Sequence, residues 1–390
     1  FIEINKSEYI FGVGDENEKE NFKLIYKHIE PIKGIENFQI IDFELVFNII
    51  KNNIYLIEQK LNFTFKDTVL IIKNFNYSFL NLSGFKKLNG SQILKENITY
   101  ILNSLKSNID EIEEKKNIIH IFNTKYCLDK KKINNLPIGL FGDFYSHELS
   151  FCLLRENDHK NLNNIFDKCN LRIRKIFLKS FIEGSYISNS NQNIDTFFKI
   201  ELNEKNSQIF YYENDALKFE QNFNFGSDLI ISDISKITSL KKNIVEKIIQ
   251  NSTLTQDTPK DKLVEKSLFE NINYRKINEK LIFQIAEARI KELSEILLTK
   301  NINISNYLKK NDTIFLNINN QAGLACFQDS YRLFFSKKDY FSVNFIDDIS
   351  TEDAINNAYN LVSFGWKKEA IPVIHPKKSF IAWLFDKIFK

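Results

Sequence analysis

A chain of 390 residues with 43% hydrophobic and 26% charged residues is globular in composition and too long for one compact core, so it predicts two to four subdomains. The formal net charge of +3 is near neutral for this size, which argues against a general nucleic-acid binder. No apolar run reaches the ~18 residues of a membrane span, and no signal-peptide pattern opens the chain.

Phe1 to Ile4 alternates apolar and acidic residues and predicts a first strand. The polar turn Asn5-Lys6-Ser7 leads into a second, Tyr9 to Val13, making a hairpin whose turn can present backbone N–H groups. Leu24 to Ile29 is a further strand. Asp42 to Leu61 predicts an amphipathic helix, capped by Asp42, with Val46, Ile49, Ile50, Ile54, Ile57 and Leu61 on one face. Thr68 to Ile72 predicts a buried strand. Residues 84–154 then read as a small α+β insert: a helix over Glu96 to Leu105 and strands at Ile118 to Phe122, Tyr126 to Leu128 and Leu149 to Leu154. A helix over Asn157 to Cys169 and a strand over Arg174 to Leu178 follow, leading into Phe181 to Ile187.

The second half repeats the opening of the first. A strand, Thr196 to Leu202, a polar turn, Asn203 to Ser207, and a returning strand, Gln208 to Tyr212, precede a third strand, Leu217 to Phe225. Such duplication predicts two related domains. Gly226 introduces a helix over Asp228 to Ile237. Helices over Asn243 to Ile249 and Glu279 to Leu298, a strand at Ile314 to Leu316 and a helix over Asp353 to Val362 complete the body.

Beyond a patternless stretch, Gly365 to His375, comes Pro376 to Lys390, reading PKKSFIAWLFDKIFK. Ser379 is a ready N-cap. Phe380, Ile381, Leu384, Phe385 and Ile388 form one helical stripe, widened by Trp383 and Phe389. Lys377, Lys378, Lys387 and Lys390 against Asp386 leave the stretch net positive. Docking on the chain's own core and lying in a membrane interface are both open. The aromatic stripe and flanking lysines favour the interface, each lysine worth ~1 kcal/mol near anionic headgroups.

Catalytic patterns are absent. Cys127, Cys152, Cys169 and Cys326 are scattered without a CxxC pair and read as small buried hydrophobes in a reducing cytoplasm. His147-Glu148 belongs to no HExxH motif, and no nucleophile–base spacing stands out. The complete lack of methionine predicts that the natural start lies upstream of Phe1. The wealth of Asn, Ile, Lys and Phe reads as codon drift, which weakens propensity signals.

In order of elements the chain resembles the FtsA family of bacterial division proteins, within the actin/Hsp70/sugar-kinase superfamily. Asn134 with Leu136-Pro137-Ile138-Gly139-Leu140 and Gly142 resembles the family's NPIGM-G segment. Asn214-Asp215-Ala216-Leu217, Gly226-Ser227-Asp228 and Ser232-Asp233-Ile234 resemble DGAL…GGDxxTNDI. Glu287-Ala288-Arg289 with Glu292 resembles the IEPRxxEI helix, and the tail resembles the family's membrane-targeting helix. Colinearity over essentially the whole chain carries the resemblance; no single piece does.

The resemblance implies an actin-like α/β fold of duplicated, ribonuclease-H-like domains. The first actin-like subdomain would take 1–83 and 155–190, the insert 84–154, the second subdomain 191–228 and 303–364, and a helical subdomain 229–302. A linker, 365–376, would precede the membrane helix, 377–390, in which Lys377, Lys378, Phe380, Ile381, Trp383, Leu384, Phe385, Lys387, Ile388 and Phe389 bind lipid. It further implies a non-enzymatic adaptor on the cytoplasmic side of the inner membrane at the division septum. Its partners would be the FtsZ C-terminal tail, copies of itself, anionic lipids and other membrane division proteins, with no nucleic acid. The FtsZ contact would lie in Val245 to Leu298, where Lys241, Lys242, Lys247 and Arg275 could meet an acidic peptide. An ATP-dependent enzyme of the superfamily and a pilus-assembly adaptor are the alternatives.

ATP and Mg²⁺ are implied as cofactors, bound by two hairpin turns. The family's DIGTSK corresponds to Glu3-Ile4-Asn5-Lys6-Ser7-Glu8, and DIGGGTTD to Glu201-Leu202-Asn203-Glu204-Lys205-Asn206-Ser207-Gln208. The adenine-side TGGGS corresponds to Asn317-Ile318-Asn319-Asn320-Gln321. Residue by residue this carries over Glu3, Asn5, Ser7, Glu201, Asn203, Asn206, Ser207, Gln208, Gly226, Asn319 and Asn320. Every glycine of the three loops is gone. Either the asparagines rebuild the turns through positive φ, or nucleotide binding is weak or absent; the simultaneous losses favour the second.

Overall fold

The computed structural model describes residues 1–16, 22–73, 75–252, 254–269, 273–318 and 324–370. The described residues form two compact units, unit 1 taking 1–178 and 359–370, unit 2 taking Lys179–Ala358.

In unit 1, β1 (Ile2–Ile4), β2 (Glu8–Glu16) and β3 (Phe22–Pro31) make an antiparallel meander. A two-stranded ribbon of β4 (Ile35–Glu36) and β5 (Gln39–Ile40) precedes α1 (Phe43–Leu61). Then β6 (Asp67–Ile72) pairs parallel with β1. An insertion follows, of β7 (Tyr77–Lys87), α2 (Lys95–Ile112), β8 (Lys116–Leu128), β9 (Lys131–Ile133) and β10 (Phe144–Arg155). After α3 (Glu156–Lys168), β11 (Arg172–Leu178) joins β6 in parallel. The main sheet thus runs β3-β2-β1-β6-β11, and the inserted sheet β7-β10-β8-β9 is antiparallel throughout.

Unit 2 opens with α4 (Lys179–Ser190) and a second meander, β12 (Phe197–Leu202), β13 (Ser207–Glu213) and β14 (Ala216–Phe223). Helices α5 (Asp228–Thr238), α6 (Lys242–Asn251) and α7 (Glu279–Ser294) lead to β15 (Thr313–Ile318), parallel to β12. Next come α8 (Gln328–Phe335) and β16 (Ser342–Phe345), parallel to β15, and α9 (Thr351–Phe364), within which the chain passes back to unit 1. The order β14-β13-β12-β15-β16 repeats that of unit 1 strand for strand, hairpins and parallel crossovers included. This doubled plan, interrupted after its fourth strand in unit 1 by an α+β insertion, is the actin-like fold.

Local chemistry explains the frame. Asp42 Oδ1 accepts from the Leu45 N–H at 2.9 Å, capping α1, and Asn62 closes it in the left-handed region at φ 50°. Val46, Ile50, Ile54 and Ile57, spaced four, four and three, are its buried face. In β12 Phe198, Ile200 and Leu202 enter the core of unit 2 with Ile230, Ile234, Ile282 and Ile290 of α5 and α7. The four cysteines are free thiols, but they are not all buried: Cys152 is, Cys127 and Cys169 are half-buried, and Cys326 is exposed.

His147 sits on β10 within the inserted sheet, wholly buried. Its Nε2 is 2.8 Å from Asn123 Oδ1, which makes that nitrogen the protonated one; Nδ1 has no hydrogen-bond partner. Burial pushes its pKa down from 6.5 to about 4. Above 6.5 the ring is neutral folded or unfolded, so stability does not depend on it. Below 6.5 only the unfolded chain takes up the proton, so stability falls as pH drops towards 4, by about 2 kcal/mol at pH 5. Urea unfolding at pH 7 and pH 5 should show this loss, and in His147→Leu the drop between the two should be smaller by about that amount.

The last described residues lie on the insertion. The Asn123 N–H donates to Lys368 O at 2.7 Å, and the Ala370 N–H to Ile121 O at 2.8 Å. Between them Glu369 Oε1 takes His120 Nδ1 at 2.9 Å and Lys175 Nζ at 2.7 Å. Burial alone would raise the Glu369 pKa, but these two partners hold it below the usual range. Residues 377–390, the expected membrane helix, lie outside the described residues, as do Asn319 and Asn320. Among the described residues no helix is long and apolar enough to cross a membrane.

Candidate functional site

The two β-hairpin turns that the resemblance singles out close the β1–β2 and β12–β13 hairpins of the matching sheets. Each belongs to its own unit.

In the first turn the Asn5 N–H donates to Glu8 O at 3.0 Å. The Asn5 carboxamide then folds over the turn. Its Oδ1 accepts from the backbone N–H of Glu8 at 2.7 Å and of Ser7 at 2.9 Å, and from Ser7 Oγ at 3.3 Å. Asn side chains are prone to this, because the short amide reaches donors two and three residues on. The turn therefore does not present these donors outward as expected: the N–H groups of Ser7 and Glu8 are engaged within it. Glu3 is buried at 3% exposure.

In the second turn the Asn203 N–H donates to Asn206 O, and Asn203 Nδ2 to Asn206 Oδ1, both at 3.0 Å. The start of α5 packs on this turn. The N–H groups of Ser227 and Asp228 donate to Asn203 O and Glu204 O at 2.9 Å, and Ser227 Oγ to Asn203 O at 3.3 Å. These first N–H groups of the helix would otherwise lack partners. The approach needs a glycine: a Cβ on Gly226 would stand 2.2 Å from Asn203 O and 2.4 Å from Glu204 O. Gly226→Ala is expected to cost about 1–3 kcal/mol, since backbone must move; a chemical melt matching wild type would contradict the packing. Ser207, wholly buried, donates through Oγ to Phe225 O at 2.8 Å.

Asn5, Asn203 and Asn206 all keep φ outside the left-handed region. Asparagine does not replace the missing glycines through backbone geometry; its side chains fill the turns instead.

Below the second turn lies a buried charge cluster. Alternation along β12 puts Phe198, Ile200 and Leu202 on one face and Lys199 and Glu201 on the other. Helix α4 covers that second face. It comes close because Gly184 has no side chain: a Cβ there would stand 2.0 Å from the Tyr212 ring, whose hydroxyl donates to Ser180 O at 2.6 Å. Asn357 Nδ2 fixes α4 further, donating to Ile182 O at 2.8 Å and to Ser185 Oγ at 2.7 Å. This docking brings Glu183 to Lys199, whose ammonium donates to a Glu183 carboxylate oxygen and, at 2.6 Å, to Glu201 Oε1. Lys199 is 4% exposed, Glu183 6% and Glu201 2%. Burial works against the ammonium, but the two carboxylates outweigh it and raise the Lys199 pKa.

Gln208 pairs with Glu201 across the hairpin, so its side chain shares that face. It is 5% exposed, and its Oε1 has no hydrogen-bond partner. Sequence reasoning placed Glu201 and Gln208 at a nucleotide site and did not find the buried cluster that Glu201 forms with Lys199 and Glu183. Among the described residues no three His, Cys, Asp or Glu side chains are grouped to hold a metal ion.

The helices of unit 2 carry a separate cleft of about 310 Å³ between α5 and α7, lined by Asp233, Ile237, Gln284, Ile285, Ala288, Arg289 and Glu292. The Arg289 guanidinium bridges Asp233 and Glu292, the latter at 2.6 Å. Ile237 is 60% exposed beside it. Of the basic residues expected to meet an acidic peptide, Arg275 donates to Thr238 O and Ser239 O at the end of α5, and Lys242 pairs with Asp228 at 3.5 Å.

No protein-family profile matches the chain. Over 321 residues it is 21% identical to the cell division protein FtsA of Buchnera aphidicola subsp. Baizongia pistaciae, covering 80% of this chain and 74% of that protein. The likeness to FtsA read from the motifs is thus matched by a likeness over most of the chain. Among solved structures, the PilM–PilN type IV pilus biogenesis complex aligns with 94% of this chain and 96% of its own, at 10% identity and TM-score 0.48. MreB5 of Spiroplasma citri bound to AMPPNP aligns with 93% of this chain and 95% of its own, at 10% identity and TM-score 0.40.

Proposed function

We propose that this chain is a cell-division adaptor that tethers FtsZ filaments to the cytoplasmic face of the inner membrane. One observation carries the reading: the colinear match to FtsA over 321 residues, which spans both units. In this reading residues 377–390 lie in the lipid interface and the body supplies protein contacts. The last described residues are anchored on the insertion by Glu369, so a membrane-bound tail would hold unit 1 at the surface. A single short helix binds lipid only marginally, and self-association would multiply it through avidity. The working parts are unit 1 with its insertion of β7 to β10, and unit 2 with its helices α5 to α7.

The adaptor acts without tight nucleotide binding and without catalysis. Two features support this: the Ser7 and Glu8 N–H groups are already taken by Asn5, and Glu201 is already paired with an ammonium. A phosphate group at either turn would meet bonds already made there, with no glycine to let the backbone approach it.

The FtsZ tail is assigned to the α5–α7 cleft, where the exposed Ile237 and the Arg289 guanidinium offer an apolar and a cationic contact. Fluorescence anisotropy with an FtsZ C-terminal peptide tests it. Ile237→Glu, at a surface position the fold tolerates, is expected to weaken binding at least about tenfold. Unchanged affinity would remove the peptide from this cleft.

A further inference from the structure

We propose that the Lys199 ammonium occupies the place of a divalent cation between Glu183 and Glu201, closing the second hairpin of the fold with an internal charge instead of a metal. The inference deepens the nucleotide-poor reading above.

Three observations meet here. First, two carboxylates from different elements, α4 and β12, converge on one nitrogen, with the Glu201 oxygen 2.6 Å away. That spacing is close to the 2.3–2.6 Å at which oxygens surround Ca²⁺. Second, the cluster is buried, with no member more than 8% exposed through its side chain, so the two acids need a cation on the spot and cannot rely on solvent. Third, Gln208 adds a buried carboxamide on the same face as Glu201; its Nε2 donates to Asn222 Oδ1, and its Oε1 has no hydrogen-bond partner and so lies beyond reach of the ammonium. Two convergent carboxylates are the core of the oxygen set that hard cations take, and this amide oxygen is a further ligand that a metal ion could draw in once the ammonium is gone. In this chain the space is filled by a side chain rooted two residues before Glu201 on the same strand.

A tethered ammonium has a consequence that a metal ion does not. It cannot dissociate, so unit 2 holds one arrangement whatever the free cation concentration. Two buried carboxylates from different elements accept from this ammonium, so deleting it should open a real cation site.

The test uses the full chain and Ca²⁺ or Mn²⁺ alone. Wild type should melt at the same temperature in EDTA and in millimolar CaCl₂ or MnCl₂. Lys199→Met should melt lower in EDTA and regain about 5 °C or more with saturating Ca²⁺ or Mn²⁺. Mn²⁺ titration followed by electron paramagnetic resonance should show saturable binding in the variant and none in wild type. Glu183→Gln/Lys199→Met/Glu201→Gln, which loses the same ammonium but also the charges, should ignore both cations. The proposal is overturned if Lys199→Met shows no cation response, or stays unfolded in both buffers. It is equally overturned if the neutral triple variant responds, or if wild type binds Mn²⁺ in a way that Glu201→Gln abolishes. A separate MgATP titration of wild type addresses the nucleotide-poor reading, so the two can fail independently.

Discussion

Lys199→Met is expected to destabilise unit 2 by about 3–5 kcal/mol in cation-free buffer, the largest single-residue effect in the body. The figure follows from what is left behind. Glu183 and Glu201 are 6% and 2% exposed and both lean on the one ammonium. Methionine matches the length of the stem but offers no charge, so two neighbouring carboxylates stay in a low-dielectric pocket. The cost is that of uncompensated buried charge, not the net worth of the ion pair. The Glu183→Gln/Lys199→Met/Glu201→Gln chain should therefore recover much of the loss, because buried ion clusters often exchange with neutral groups at little cost. Urea unfolding of the three proteins measures it. A loss below about 1 kcal/mol for Lys199→Met would mean that water reaches the cluster.

Trp383→Asp is expected to weaken membrane binding by roughly a hundredfold or more. Trp383 widens the apolar stripe of Phe380, Ile381, Leu384, Phe385 and Ile388. Losing its burial removes about 2–3 kcal/mol, and an added carboxylate near anionic headgroups costs about 1 more. A sum near 3–4 kcal/mol is two to three decades in partitioning. A monomeric amphipathic helix has little affinity to spare, so the variant should be largely soluble. Flotation with anionic vesicles reads this directly, and partitioning equal to wild type would show that the stripe does not face lipid.

The doubled architecture was legible because both openings carry the same signature, a short apolar strand, a polar turn and a returning strand. The α1 helix was legible to its cap, since Asp42 stands before a clean helical period and accepts the Leu45 N–H. The insertion was less so. Strand β8 runs unbroken for 13 residues, yet Asn123, Thr124 and Lys125 divide its apolar pattern into two apparent strands. Its partner β10 shifts register at Glu148/Leu149, opposite that stretch, which is how the polar residues are absorbed. Strand β7 escaped notice because it is the edge of its sheet and half-exposed along its length, so Ser78, Asn81 and Ser83 weaken the alternation.

The site was half legible. The turns could be placed, and the missing glycines seen, from sequence. What Asn5 does in place of glycine is a matter of which amide its oxygen finds, and no pattern states that. Lys199 and Glu201 stand two apart in a strand, so their shared face was available to inspection. Glu183 was not, because α4 is buried on nearly every side and shows no amphipathic period. Its register depends on Gly184 meeting the Tyr212 ring, a contact between residues 28 positions apart.

The central claim is the tether, and vesicle co-sedimentation tests it most directly. The full chain and a version ending at Pro376 are each mixed with anionic vesicles, with and without MgATP. The full chain should pellet with the lipid to the same extent in both buffers, while the shortened chain remains in the supernatant. Equal recovery of both chains in the supernatant would contradict the tether and return the tail to the protein's own core. Pelleting of the full chain only with MgATP would contradict the nucleotide-free reading of the two turns.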